Sequence, residues 1–448
     1  MRLSLLDRAF YLLDGARSPQ DFTVIFDLRH VPDVERLVAG ARSAMNRFPT
    51  SACTVEGRAW VWRENKFNLE TSSAIEDFID KRFDLRREQP IKQLLVLNGS
   101  SARLATRFHH AAADGFSAAL WLGHQLNVAY ELEPAQLTRS QFNGPTLRRS
   151  ANSVRCSQFA FDGPSDALRT SHSKRSGLRR WSSISFPSNE LQKACRHAGG
   201  FTYHDLLATC ALEILTSWSR PYIKCKIGLW VPMNIRSNSR EGFGNGTSRI
   251  RVYASYDHET SLVEKCHAVR RQVAWSTKHG EWVVPENPWL ERLPDSIASL
   301  LLRRYLQLPK VDMATAVFTH AGSLLANGGE AFKHVERIEC VGLLHPRQNL
   351  AINAATHSGH TWLTFTYDPA LLTTDDVKQL TQLYLEQNRS LKHRERLPAL
   401  HHRVDHQALR PNLQRLATLP NNHVSLKSKP IEAKVRHSCR HTSEIVWS

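Results

Sequence analysis

The stretch His109-His-Ala-Ala-Ala-Asp-Gly115 has the pattern HHxxxDG. It places two histidines, whose ordinary pKa lies near physiological pH, close to an acidic residue and a glycine. A chance match to this pattern is expected about once in a few hundred chains of this length and composition. We therefore interpret the motif as a candidate catalytic site. The alternative is that two adjacent histidines simply end a strand.

The sequence on both sides of the motif predicts a well-defined local structure. Two segments of strand type precede it, at 91–97 and 102–108, and Asn98-Gly-Ser-Ser101 between them favours a tight hairpin turn. Residues 116–130 follow it, with apolar side chains at helical spacing. The motif is therefore predicted on a loop where a strand ends and a helix begins, which is a common location for catalytic groups.

Around this motif the chain resembles the coenzyme A-dependent acyltransferases with the chloramphenicol acetyltransferase fold. That superfamily includes the condensation domains of nonribosomal peptide synthetases, alcohol O-acyltransferases and the bacterial wax ester synthase/diacylglycerol acyltransferases. The resemblance runs from about residue 3 to residue 390. It is carried by Leu3-Ser-Leu-Leu-Asp-Arg-Ala-Phe10, Arg82-Phe-Asp-Leu85 with Pro90, Val231-Pro-Met-Asn-Ile-Arg236 with Gly244-Asn245, and Thr366-Tyr-Asp-Pro369.

The resemblance implies an α/β (α+β) protein with two chloramphenicol acetyltransferase-like lobes. Each lobe is expected to be a mixed sheet with flanking helices, and an active-site tunnel is expected between the lobes. We assign 1–135 to the first lobe with the motif and 181–394 to the second lobe. Residues 136–180 are predicted to be a basic, flexible crossover. Residues 395–448 are predicted to be a basic, His-rich, disordered tail.

The resemblance also implies the roles of the candidate catalytic residues, His110, Asp114 and Gly115. His110 is expected to be the general base that deprotonates an acceptor hydroxyl or amine. Asp114 is expected to hold the loop through an ion pair, for which Arg236 is one candidate partner; a solvated Arg236 is the alternative. Gly115 is singled out because the absence of a Cβ permits a sharp turn and a close approach, and its N–H is a candidate donor to an oxyanion. The supporting residues are His109, Arg236 and Asn245.

The implied co-substrate is an acyl thioester, supplied either by coenzyme A or by the phosphopantetheine of an acyl or peptidyl carrier protein. The second substrate is a small alcohol or amine. No tightly bound cofactor is expected, and no metal, because the other histidines show no ligand spacing. Two alternatives stay open at this point: a free-standing condensation enzyme that joins carrier-bound units by an amide, and a non-catalytic partner protein.

Two positions depart from the pattern of the relatives and leave the substrate undefined. Wax ester synthases tend to have Asn-Asp at the start of a second-lobe helix, where this chain has His204-Asp205. Relatives often read Ser-Asn-x-Gly where this chain has Thr319-His320-Ala321-Gly322.

The charge of the chain is strongly positive but unevenly distributed. The formal net charge is +17. Residues 136–185 hold nine Lys/Arg against two acidic residues, and residues 391–448 hold eleven against four. Because this excess lies in predicted linker segments without interleaved aromatic side chains, nucleic-acid binding is disfavoured. Peripheral contact with an anionic membrane surface, or with an acidic carrier protein, fits the same charge.

The cysteines and the start of the chain indicate a reducing compartment. The eight cysteines form no CxxC pair, which favours free thiols. Asp7, Arg8 and Asp14 interrupt the apolar residues near the N-terminus, which is not typical of a secretory signal. A cytoplasmic protein is the expectation.

Overall fold

The computed structural model describes most of both predicted lobes. The described ranges are 1–64, 67–72, 74–133, 175–197, 200–219, 227–237, 242–254, 260–282, 292–308, 314–322 and 330–393. Of the predicted crossover at 136–180, only 175–180 falls within these ranges, and the predicted tail at 395–448 lies outside them.

Strands and helices alternate along the described chain. The strands are β1 (Asp21–Leu28), β2 (Cys53–Glu56), β3 (Ala59–Trp62), β4 (Leu69–Thr71), β5 (Ile91–Asn98), β6 (Ser101–His109), β7 (Arg180–Pro187), β8 (Gly228–Asn234), β9 (Thr247–Tyr253), β10 (Ala316–His320), β11 (Val335–Val341), β12 (Leu350–His357) and β13 (His360–Tyr367). The helices are α1 (Leu5–Leu13), α2 (Val34–Arg47), α3 (Ile75–Asp80), α4 (Gly115–Ala129), α5 (Ser188–His197), α6 (Tyr203–Ser219), α7 (Leu262–His279), α8 (Asp295–Gln307) and α9 (Thr374–His393), with short 3₁₀ helices at Pro49–Ala52 and Glu330–His334.

The first lobe is built on a sheet with the strand order β11-β1-β6-β5-β4, antiparallel except for the β4–β5 pair. β5 and β6 form the predicted hairpin, with Asn98 paired to Ser101. Gly99 in this turn has a φ of 61°, a conformation that favours glycine. Alternate residues of β1 point to opposite faces of the sheet. Those on one face join the core formed with α2 and α4, and Ile25 on the other joins α3.

The second lobe is built on a sheet with the strand order β7-β13-β12-β10-β8-β9. Its three middle strands, β12, β10 and β8, are parallel, and the outer pairs are antiparallel. Helices α6, α7 and α9 bury their apolar sides against one another and the sheet in a single core. The hydroxyl of Tyr384 in α9 donates to the carbonyl of Leu207 in α6 at 2.7 Å, so the buried phenol is satisfied.

One strand lies in a different sheet from the one that the sequence division assigned to it. The segment at 335–343 was assigned to the second lobe as part of 181–394, yet β11 pairs antiparallel with β1 in the first sheet. Val335 and Ile338 of β11 are buried in the core of the first lobe, together with residues of α2 and α4. The burial of these side chains in the core of the first lobe explains why β11 joins the first sheet. A strand's own alternation of apolar residues does not encode which sheet it joins.

Candidate functional site

The HHxxxDG motif lies on the connection between β6 and α4, as the flanking sequence predicts. β6 ends at His109 and α4 begins at Gly115. The amide of His110 donates to the carbonyl of Gln20 at 2.7 Å, and the amide of Ala112 donates to the carbonyl of His109 at 2.9 Å. The loop is therefore held by backbone hydrogen bonds next to a sheet, which gives its side chains defined positions.

The imidazole of His110 is clamped between two phenylalanine rings. It stacks on Phe10 of α1, with ring centroids 4.2 Å apart and an angle of 13° between the planes. Phe22 of β1 meets it edge-on, at 5.3 Å and 62°. Because two rings from separate elements restrict the imidazole, its rotamer is fixed before any substrate binds.

Asn245 sets the tautomer of His110. The Nδ2 group of Asn245 donates to Asp7 Oδ1 at 2.9 Å and to the carbonyl of His110 at 2.5 Å, and this fixes the orientation of the amide. Its Oδ1 then faces Nδ1 of His110 at 3.2 Å. An amide oxygen only accepts hydrogen bonds, so Nδ1 must carry the proton and Nε2 keeps its lone pair. Nε2 is the basic nitrogen.

Burial changes the proton affinity of this site in the direction that a base needs. Burial lowers the pKa of His110 below its ordinary value of 6.5, although the negative charge of Asp114 and the hydrogen bond to Asn245 act in the opposite direction. A lowered pKa keeps the imidazole neutral at physiological pH. Burial likewise raises the pKa of Asp7, against its hydrogen bonds from Asn245 and Ser4.

His109 points away from this site. It is 1% exposed, and its Nδ1 accepts a hydrogen bond from the amide of Ala111 at 3.1 Å. Its Nε2 lies 3.8 Å from Asp14 Oδ2, and its ring meets Phe83 edge-on at 5.6 Å. His109 therefore packs inside the first lobe, and of the two motif histidines only His110 faces the cavity described below.

Asp114 and Arg236 form a buried, bidentate ion pair, so the alternative of a solvated Arg236 does not hold. Their N–O distances are 2.8 and 2.9 Å, and their exposed fractions are 1% and 0%. The amides of Ser117 and Gly246 and the hydroxyl of Thr247 also donate to Asp114, at 3.0, 2.9 and 2.7 Å. Burial alone would raise the pKa of Asp114, but the charge of Arg236 and these hydrogen bonds lower it to about 2. Asp114 is therefore a fixed anion and carries no proton at working pH.

Arg236 fastens the second lobe to the start of α4. Its Nη2 also donates to Ser117 Oγ at 3.1 Å and to the carbonyl of Gly244 at 2.8 Å. The approach is so close that a Cβ on Gly246 would lie 2.5 Å from Arg236 Cγ. This contact requires glycine at 246. It also holds Asn245, the next residue in the chain, against His110.

Gly115 is special for a reason other than the sharp turn that the sequence suggested. It is not among the described glycines with a positive φ, and a Cβ placed on it would meet no atom within 4 Å. Gly115 lines the cavity beside His110. It is also the first residue of α4, where an N–H has no acceptor within the helix. Glycine at this position keeps the space beside His110 open.

A cavity of about 470 Å³ opens in front of His110 and runs between the two sheets. Side chains of α1, β1 and α4 line it from the first lobe, and side chains of β8, β9, β10, β12 and α8 line it from the second. Its walls are mainly apolar. The polar or titratable side chains among them include His110, Asn234, Arg249, Thr319, His320, Cys340, His345 and Asn353. Its volume suits a small organic substrate.

Comparisons with solved structures show the same architecture. The first condensation domain of the calcium-dependent antibiotic synthetase matches with a TM-score of 0.65 at 14% identity, over 87% of this chain and 97% of that one. The trichothecene 15-O-acetyltransferase of Fusarium sporotrichioides matches with a TM-score of 0.62 at 14% identity, over 87% and 94%. The starter condensation domain of rhizomide synthetase, solved with C8-CoA and Leu-SNAC, matches with a TM-score of 0.61 at 12% identity, over 87% and 94%.

The chain has the condensation-domain fold. This confirms the two-lobed α/β architecture that the sequence predicted, and the likeness is one of fold. No known family and no curated protein matches the sequence itself. Within the described ranges, no helix is long and apolar enough to cross a membrane, and no cluster of His, Cys, Asp or Glu could hold a metal ion.

The residues of the site that the sequence did not single out include Asp7 and Phe10 of α1 and Phe22 of β1. Asp7 and Phe10, both in α1, contact Asn245 and His110 respectively. Leu3–Phe10 was recognised only as an opening segment of the family, without a role. The spacing of Asp7 and Phe10 by three residues puts them on one side of a helix, which was the available signal.

The two positions that depart from the relatives are neighbours in the condensation-domain fold. The rings of His204 and His320 stack with centroids 6.5 Å apart, and His320 lines the cavity. Burial lowers the pKa of His320 to about 4, and the charge of His204 acts in the same direction. His320 therefore forms part of the cavity wall, and the contacts of His110 described above involve neither residue.

Proposed function

We propose that this protein transfers an acyl group from a thioester to a hydroxyl or amine acceptor, with His110 as the general base. The observation that carries the proposal is the arrangement of His110. Asn245 fixes the proton on Nδ1, two phenylalanine rings fix the plane, and the side chain lines an apolar cavity between the lobes. This is the geometry that a neutral imidazole base requires.

The reaction follows from that arrangement. The acceptor oxygen or nitrogen attacks the thioester carbonyl carbon while Nε2 of His110 takes its proton. The tetrahedral intermediate then expels the thiolate, and the imidazolium returns the proton to the departing sulfur. The products are an ester or amide and a free thiol, so the base is regenerated in each turnover. No covalent enzyme intermediate is needed, because the thioester is already activated.

We assign the oxyanion of the intermediate to the backbone N–H of Gly115. This amide begins α4, where the helix dipole favours negative charge, and its residue lines the cavity beside His110. One well-placed donor of this kind is worth about 3 kcal/mol of barrier. Asp114 and Arg236 are positioning residues in this mechanism, because they fix the start of α4 and the loop that carries Asn245.

The donor class is a thioester of coenzyme A or of phosphopantetheine. Support comes from the rhizomide synthetase domain, whose solved complex contains C8-CoA and Leu-SNAC.

The test is release of free thiol, followed with a thiol-specific reagent. A panel of acyl-CoA, acyl-N-acetylcysteamine and acyl-carrier-protein thioesters is combined with short alcohols and amines. Thiol release that requires an acceptor, together with an ester or amide found by mass spectrometry, is the expected result. Acceptor-dependent release with carrier-bound donors alone would indicate the condensation enzyme. No acceptor-dependent release with any donor would refute acyl transfer and leave the non-catalytic partner.

A further inference from the structure

A cationic side chain lies in the cavity without an anionic partner. Arg249 of β9 is half-buried and lines the cavity, and its guanidinium carbon lies 3.5 Å from the ring centroid of Trp230. Within the described ranges, no carboxylate or other acceptor forms a hydrogen bond or ion pair with this guanidinium. Burial lowers the pKa of Arg249 to about 10, and the charge of Arg251 acts in the same direction, whereas Tyr305 acts in the opposite direction. The guanidinium is therefore a desolvated cation.

The other buried arginines show how this chain normally treats such a charge. Each arginine that the described part of the chain buries completely contacts a carboxylate within 3 Å: Arg8 with Asp295, Arg107 and Arg179 with Asp21, and Arg236 with Asp114. An uncompensated cation inside a protein is costly. Arg249, half-buried on the wall of the cavity, has no such carboxylate partner within the described ranges.

The surroundings of Arg249 leave its N–H groups available to a ligand. Trp230 covers one face of the guanidinium, which fixes the plane while the hydrogen-bond donors point outwards from its edge. Tyr305 and Leu306 of α8 also line the cavity. A planar guanidinium held in this way matches the two oxygens of a carboxylate.

Arg249 is also connected to the proposed base through one intermediate residue. His345 lines the cavity and contacts Trp230 edge-on at 5.0 Å. Burial lowers the pKa of His345 well below 6.5, and Arg249 and His110 act in the same direction, so His345 lies within electrostatic range of both. A molecule anchored at Arg249 would therefore extend past His345 towards His110.

We propose that Arg249 binds the carboxylate of a substrate, so that the enzyme selects a molecule carrying an acid group besides the group that reacts. This inference rests on the proposed acyl transfer for its substrate role. The carboxylate has two chemical sources: an acceptor such as a hydroxy or amino acid, or a donor that is a half-thioester of a dicarboxylic acid.

The kinetic test uses pairs of substrates that differ only in carboxylate against carboxamide. One arm compares 6-hydroxyhexanoate with its amide as acceptors, and the other compares glutaryl-CoA with its terminal amide as donors. We expect the wild type to prefer the acid in one arm by about 10- to 100-fold in kcat/KM. That ratio should fall to about 1 in Arg249→Met. Arg251→Met, which removes the same charge from the same strand outside the cavity lining, should keep it.

A second readout needs no turnover. The unfolding temperature is measured with hexanoate against hexanamide, and with glutarate against glutaramide. The acids should raise it in the wild type and in Arg251→Met, and should not in Arg249→Met. Turnover without acid preference in either arm, and without this shift, would refute the carboxylate site and leave acyl transfer intact. A rise in unfolding temperature with the acids, without any turnover, would support the carboxylate site and refute acyl transfer. If neither the rise nor turnover is seen, both the carboxylate site and acyl transfer are wrong.

Discussion

The ion pair between Asp114 and Arg236 should be one of the main sources of stability at the junction of the lobes. Asp114→Asn removes the charge with almost no change of shape and leaves the guanidinium of Arg236, 0% exposed, without a carboxylate. Its amide group would also face the donors of Gly246 and Thr247, which now point at Asp114. The variant therefore loses a buried charge pair and gains opposed hydrogen-bond donors.

The expected loss of unfolding free energy in Asp114→Asn can be derived in two ways. Breaking a buried ion pair by removing one partner costs about 3–5 kcal/mol. The pKa of Asp114 falls from 3.8 to about 2, which corresponds to about 2 kcal/mol of stability from ionisation alone. The second figure is smaller because a protonated carboxyl keeps part of its hydrogen bonding. We expect Asp114→Asn to lower the free energy of unfolding by about 2–5 kcal/mol near pH 7.

Urea unfolding followed by tryptophan fluorescence measures this loss, and the double variant Asp114→Asn/Arg236→Met provides the control. Removing the stranded cation as well should recover part of the loss, so the double variant should be more stable than Asp114→Asn alone. The dependence on pH has a definite sign. Because the folded-state pKa is lowered, the contribution is complete above about pH 4 and is lost as the pH falls towards 2. A loss below about 1 kcal/mol at pH 7 would refute the reasoning.

Three further predictions concern the base and its loop. With increasing pH, kcat/KM should rise to a plateau with its midpoint below pH 6.5, because burial lowers the pKa of His110 and only the neutral imidazole is active. A midpoint above pH 6.5 would contradict this. Asn245→Leu should lower kcat at least about 10-fold while the KM for the acceptor substrate changes less than about threefold, because it removes the amide oxygen that fixes the tautomer of His110. An equal rise in KM with unchanged kcat would show a role in substrate binding instead. Gly246→Ala should cost about 1–3 kcal/mol of unfolding free energy because its Cβ would meet Arg236, whereas Gly115→Ala, which has open space around it, should cost less than about 1 kcal/mol. The same urea titration compares the two variants, and equal losses would show that the contact at Arg236 is not tight.

Much of the first lobe could be predicted because its signals are local. The hairpin of β5 and β6 and the start of α4 after the motif both follow from turn residues and apolar periodicity. The location of β11 could not be predicted in this way. Its apolar alternation fits either sheet, and only the completed core of the first lobe selects β1 as its partner.

The residues of the site also differ in whether local sequence signals predict their positions. The positions of His110 and of the start of α4 depend on seven contiguous residues, so the motif predicts them directly. The pairing of Arg236 with Asp114 joins residues 122 positions apart, and the sequence offered it only as one of two alternatives. Arg249 belongs to no motif, and Asp7 lies in an opening segment to which no role was assigned from the sequence. Their environments arise from contacts between distant elements, which periodicity and spacing do not encode.

The central claim is that His110, and not its neighbours, is the base of an acyl transfer. The most direct test is the rate of acceptor-dependent thiol release by His110→Ala on the best thioester and acceptor. The control is His124→Gln, because His124 is a residue of α4 that forms a hydrogen bond with Ser43 of α2 and does not line the cavity. We predict a loss of at least about 100-fold for His110→Ala, with both variants folded by circular dichroism, and His124→Gln within about threefold of wild type. Activity of His110→Ala within tenfold of wild type would contradict the claim.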